Sequence, residues 1–236
     1  MISEERKTEI RENVRDILDK IDRAAGGGRE VILLAATKTR TCEEINYLAS
    51  CGVKYIGENK VQELMDKYDG IDKSSFVIHF IGALQTNKVK YIIDKVAMIE
   101  SVDRPELAKE ISKQAVKKGL VMDVLMEVNV GGEESKSGVE PENALALARE
   151  IVSLPGIRLR GVMTIPPICT DTEKQKGYFR KIVEIFNELS KEGLDNTQLD
   201  TLSFGMSGDY EAAVSCGANL VRVGTGIFGA RDYSKK

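Results

Sequence analysis

Apolar positions change period along the chain. From residue 3 to 25, Ile10, Val14, Ile17, Leu18 and Ile21 recur three or four apart, which predicts an amphipathic helix, and Gly26, Gly27 and Gly28 then stop it. Beyond it, short apolar runs at 31–36, 54–56, 76–81, 97–99, 121–128, 157–163, 201–204 and 220–223 read as strands. Stretches that are apolar on one face alternate with them, at 43–49, 60–68, 88–93, 105–117, 141–152, 172–191 and 210–215. Eight strands, each leaving room for a helix, fit a closed (β/α)₈ barrel better than an open doubly wound sheet. The expected organisation is a single domain over 1–236, with a leading helix and glycine turn at 1–28 and the barrel at 31–231. No polar linker or low-complexity run divides it.

Composition narrows the partners. Charged residues make up 30% of the chain and the formal net charge is -3, so its overall field favours neither nucleic acid nor an anionic membrane. An anionic ligand must therefore be captured locally. The charged start has no continuous apolar run, which argues against a secretory signal or membrane anchor and for a cytoplasmic protein. Cys42, Cys51, Cys169 and Cys216 are scattered and the chain has one histidine, so neither a metal site nor a disulfide framework is expected.

In such a barrel the ligand site is built where the strands end, at their C-terminal side. Lys38 leaves the first apolar strand in VILLAATKTR. Desolvation there, with Arg40 close by in sequence, would lower its pKa and free its amine to condense with an aldehyde as a Schiff base. A solvated loop lysine is the competing reading. SFGMSGDYEAA and VRVGTGIFGAR both place small residues where backbone amides can close on a phosphate: Ser207 before a short helix, Gly224 and Gly226 allowing close approach, Thr225 adding a hydroxyl. Turn-making glycines with no ligand would look similar. Arg222 points to the mouth if Val221 and Val223 face the helices, either toward a ligand or into a rim salt bridge. His79 lies on an apolar strand, a position that suits a core group as well as a ligand contact. The charged loop 131–138 is either a solvated connector or a cap that carries Lys136 to the mouth.

Taken in order from Ala35 to Arg231, TKTR, GENKVQE, HFIGALQTNK, SVDR, VNVGGEESKSG, GVMTIPP, SFGMSGDYEAA and VRVGTGIFGAR resemble the pyridoxal phosphate homeostasis protein family. That family is similar to the N-terminal barrel domain of alanine racemase and of the fold-type III decarboxylases. The resemblance implies that Lys38 holds pyridoxal 5'-phosphate, the vitamin B6 cofactor, as a Schiff base. It implies further that Ser207, Gly224 and Thr225 bind the phosphate, that Arg222 reaches the pyridine nitrogen, and that Asn59 and His79 lie near the ring. Two departures stand out: Arg40 occupies a position where many relatives have a second lysine, and IHF replaces WHF.

The implied role is buffering the cofactor and delivering it to pyridoxal phosphate-dependent apoenzymes, with no catalytic residue and no amino-acid turnover. A cation beside the pyridine nitrogen makes the ring a weak electron sink, which agrees with that role. The alternatives are a racemase or decarboxylase, which would need a second β-rich domain, and a cofactor-free Schiff-base aldolase. Without that second domain the expected state is a monomer.

Overall fold

The computed structural model describes residues 2–133, 136–167 and 169–230. Arg231, at the expected end of the barrel, and Glu134 and Ser135 of the charged loop lie outside them. Strands β1 (Ile32–Ala36), β2 (Tyr55–Glu58), β3 (Val77–Phe80), β4 (Met98–Val102), β5 (Met122–Glu127), β6 (Ile157–Met163), β7 (Thr197–Ser203) and β8 (Leu220–Val223) are parallel and close in sequential order. Pairing of Leu34 with Arg222 and of Ala35 with Val223 joins the last strand to the first. Helices α1 (Glu4–Ala25), α2 (Cys42–Ser50), α3 (Val61–Tyr68), α4 (Val89–Ile92), α5 (Pro105–Lys118), α6 (Ala144–Val152), α7 (Thr172–Lys191), α8 (Tyr210–Ser215) and α9 (Thr225–Phe228) surround it.

The pattern of apolar residues placed every strand and the larger helices, with differences mostly at the ends. Strand β4 runs on to Val102, so Ser101, expected in a loop, is a buried strand residue. Helix α9 was not anticipated, because its sequence TGIF is short and glycine-interrupted. What makes it possible is α1, which packs on α8 and α9. Ser3 caps α1 by accepting from the Arg6 amide, and Ile10, Val14, Ile17 and Ile21 bury its inner stripe. Asn13 Nδ2 donates to the Ile227 carbonyl (2.9 Å) and Arg6 Nη2 to that of Phe228 (2.8 Å), satisfying C-terminal groups that a four-residue helix leaves open. The leading helix therefore anchors the loop after β8.

Most apolar burial lies between the barrel and its helices. Inside the barrel, Leu34, Ala36, Ile81 and Leu220 form one apolar cluster and Met98, Leu125 and Met163 another. Toward the N-terminal ends of the strands, Asp123 takes Arg158 Nε and Arg160 Nη1, each at 2.6 Å, while Arg160 Nη2 reaches Asp200 at 2.5 Å. Ion pairs fill that end of the barrel.

Candidate functional site

A cavity of about 490 Å³ opens at the C-terminal ends of the strands, within the size range of cofactor pockets. Lys38, Asn59, Ser207, Arg222, Gly224 and Thr225 all line it, together with an apolar side made by Ile81, Ile165, Pro166 and Pro167. Six of the seven expected site residues are thus brought together from four strand ends. His79 is the exception. It sits on β3 two residues before Ile81, one inward layer deeper, and is not part of the cavity wall.

His79 belongs to a buried polar chain below the cavity. Its Nδ1 lies 2.7 Å from Glu100 Oε1, Ser203 Oγ donates to Glu100 Oε2 (2.6 Å), and Arg222 Nη1 donates to Ser203 Oγ. Arg222 Nη2 donates to the Thr164 carbonyl (2.9 Å), and Nη1 stands 3.8 Å from Glu100 Oε2. Burial opposes ionisation of Glu100, yet its bonds and charge attraction to His79, Arg222 and Ser203 outweigh it and hold the carboxyl below the ordinary value. Burial pulls Arg222 down, against the pull of Glu100, Glu127 and Asp209. The guanidinium is fixed from beneath, and its remaining N–H groups are what it can offer the cavity.

The two glycine-bearing loops meet at Ser207. Its Oγ accepts from the amides of Gly224 (3.3 Å) and Gly226 (3.1 Å), so two backbone N–H groups converge on one oxygen beside Thr225. That convergence suits an anion, with the serine hydroxyl occupying an acceptor position a phosphate oxygen can share or take over. Asn59 adds a second sign of a ligand: among the described residues its buried Oδ1 has no hydrogen-bond partner, although it belongs to the cavity wall. A lysine, a guanidinium, an amide cradle and an unsatisfied acceptor on one cavity fit pyridoxal phosphate.

Other expectations resolve differently. Arg40 places its guanidinium over the Phe228 ring (5.1 Å) and donates to the Gly229 carbonyl (3.0 Å). Lys136 stands 4.0 Å from Glu133 and is not in the cavity wall, which favours the solvated connector over the cap. Residues that the sequence reading passed over include Glu100 in MIESV and Glu127 in LMEVNV. A lone acid inside an apolar strand was the available signal, since it must be paired or neutral. Asp209 lines the cavity and accepts from the Met206 amide and from Gln175 Nε2.

Glu127 gives a test of this electrostatic arrangement. Burial, then the nearby Asp103 charge, push it up to about 7 against the pull of Arg222. The folded chain keeps a proton there that the unfolded chain releases near 4.5, so Glu127 lowers stability as pH rises between those values. Glu127→Gln should be roughly 3 kcal/mol more stable than the parent at pH 8 and converge with it at pH 4. Urea unfolding across that range measures this; parallel pH curves would contradict it.

An eight-stranded barrel with a lysine, a buried guanidinium and an amide cradle at its mouth defines a protein of the alanine racemase N-terminal domain class, and that family matches residues 8–232. Within it, the chain belongs to the pyridoxal phosphate homeostasis protein family. It is 47% identical to the Aquifex aeolicus pyridoxal phosphate homeostasis protein, over 94% of this chain and 98% of that one. A crystal structure of a Bifidobacterium adolescentis protein superimposes with a TM-score of 0.92 at 39% identity, covering 97% and 98% of the two chains. PipY of Synechococcus elongatus PCC7942, with pyridoxal phosphate bound, gives 0.83 at 27% identity over 93% of this chain and all (100%) of that one.

Proposed function

We propose that this chain works as one cofactor-binding domain that holds pyridoxal 5'-phosphate at the barrel mouth, buffers it in the cytoplasm and delivers it to apoenzymes. The observation that carries the reading is the convergence of Lys38, Arg222 and the Ser207–Gly224 crossing on a single cavity. The cofactor supplies a reactive aldehyde and a phosphate dianion. Lys38 captures the aldehyde carbon through its amine, reversibly, with loss of water. Ser207, Gly224 and Thr225 hold the phosphate, and Asn59 offers its orphaned Oδ1 to a donor on the ring.

Arg222, a cation steadied by Ser203, Thr164 and Glu100, would face the pyridine nitrogen and keep it unprotonated, so that proton abstraction from a bound amino acid would gain little. His79 acts on this only indirectly, through Glu100. The family supplies the homeostatic role, and the mouth, open enough for an amine to reach Lys38, supplies a route for release. The protein is proposed to act as a monomer, with no part played by nucleic acid or membrane; among the described residues no helix is long and apolar enough to cross a bilayer.

Incubating the cofactor-loaded protein with L-alanine in deuterated water distinguishes a carrier from a racemase. The Cα proton should not exchange on the scale of enzyme turnover, while a cofactor-free apoenzyme mixed in should gain activity. Exchange at roughly 1–10³ per second would overturn the carrier reading.

A further inference from the structure

The motif GENKVQE contributes Asn59 to the cavity, but Glu58 and Glu63 within it, and Lys67 just after it, serve something else. Thr37 and Thr39, the neighbours of Lys38, are both held from outside the cavity. Thr37 Oγ1 donates to Glu58 Oε1 (2.7 Å), and the Thr39 amide donates to Glu63 Oε1. Thr39 has φ 67°, a left-handed conformation that β-branched residues rarely adopt and that surrounding structure must impose. Both carboxylates meet at one ammonium. Lys67 Nζ donates to Glu63 Oε1 (2.6 Å), to the Thr37 carbonyl (2.9 Å) and to Glu58 Oε1 (3.0 Å).

An ammonium has three N–H donors, and these three oxygens account for them. One bond goes directly to the peptide that enters Lys38. The other two fix the carboxylates that grip the residues on either side. The Lys67 side chain is 13% exposed, sits on α3 and is not part of the cavity wall, so it touches no bound ligand. Glu58 is wholly buried between β2 and α3, and burial pushes its carboxyl up against the pull of Lys67 and Thr37.

We infer that Lys67 is a positioning residue for Lys38: by clamping Thr37 and, through Glu63, Thr39, it sets the direction in which the Lys38 amine enters the cavity. This rests on the reading of Lys38 as the cofactor lysine. Without the ammonium the Thr37 carbonyl keeps only its bond from the Arg40 amide (3.0 Å), Thr39 can relax out of the left-handed region, and the amine samples directions unsuited to attack. Displacing a reacting group by about 1 Å can cost ~10²-fold in rate. The contacts of Ser207, Arg222, Gly224 and Thr225 come from the ends of β7 and β8 and are untouched.

The test compares two ligands on Lys67→Met. Formation of the borohydride-reducible pyridoxal phosphate adduct at Lys38, located by peptide mapping, should slow by ~10- to 100-fold. Affinity for pyridoxine 5'-phosphate, which has the same ring and phosphate but no aldehyde, should change by less than about twofold, the size expected when no contact is lost. Lys67→Arg, which keeps a multidentate cation, should recover most of the rate. Since Lys67→Met alone leaves the buried Glu58 without its cation, the pair Lys67→Met/Glu58→Gln carries the same comparison with no fully buried charge stranded, Glu63 being partly exposed. Parental adduct rates in both variants, or equal losses for the two ligands, would overturn the positioning role. A parent protein that forms no adduct at Lys38 would overturn the underlying reading as well.

Discussion

Lys38→Ala is expected to abolish the visible absorption band that the parent acquires with pyridoxal phosphate, together with any borohydride-stable adduct in the cavity. The effect should be all or none, because the amine is the covalent partner and no weaker version of it remains. The fold should survive: Lys38 is half-buried at the mouth, outside the apolar clusters that fill and surround the barrel. The variant should still bind the cofactor reversibly, since the Gly224 and Gly226 amides and Thr225 are intact, and inorganic phosphate should compete for it. Absorption spectra, peptide mapping after reduction, and urea unfolding of the unloaded protein check the three statements. Undiminished adduct yield at another lysine, Lys136 for example, would move the primary site.

Replacing Arg222 with methionine should give the largest change in stability, about 3–5 kcal/mol, the usual cost of removing one partner of a buried ion pair. Glu100 is fully buried, and Arg222 is its cationic neighbour at 3.8 Å as well as the donor to Ser203. The pH dependence should weaken with it. In the parent, Glu100 is held below its unfolded value, so its contribution is present above about pH 4.5 and is lost as pH falls through the folded value. Without Arg222, part of the attraction that offsets desolvation is lost while the His79 bond remains, so the carboxyl moves up and its contribution to stability at neutral pH shrinks. Adding Glu100→Gln removes the stranded charge and should recover most of the loss, a coupling that a double-mutant cycle reads directly. An Arg222→Met variant as stable as the parent at pH 8 would show that the pair contributes nothing to the fold.

The alternation of short apolar runs with one-sided helical stretches was enough to specify eight strands, the order of the helices and a closed barrel, because a strand covered on both faces reads as a continuous apolar run and a helix covered on one face as a 3.6-residue period. It also placed Lys38, Asn59, Ser207, Arg222, Gly224 and Thr225 at strand ends, where this architecture puts ligands. Sequence alone left Lys38, the two glycine loops and Arg222 with bland alternatives, a loop lysine, turn glycines and a rim salt bridge. Tertiary structure removed part of that ambiguity by bringing all six to one wall and leaving Asn59 Oδ1 without a partner among the described residues.

Other features were decided only in three dimensions. Whether His79 meets the cavity depends on how many inward layers separate it from the mouth, and strand register fixes that through pairings such as His79 with Gly57. The partners of Glu100 come from β3, β7 and β8, and two of the three partners of Lys67 from the ends of β1 and β2, distances in sequence that no local pattern encodes. Helix α9 exists because α1, more than 200 residues earlier, supplies Asn13 and Arg6 to its open carbonyls. Hydrophobic periodicity is a local property and fixes which elements form; the pairing of buried charges is a property of closure, and only the closed barrel determines it.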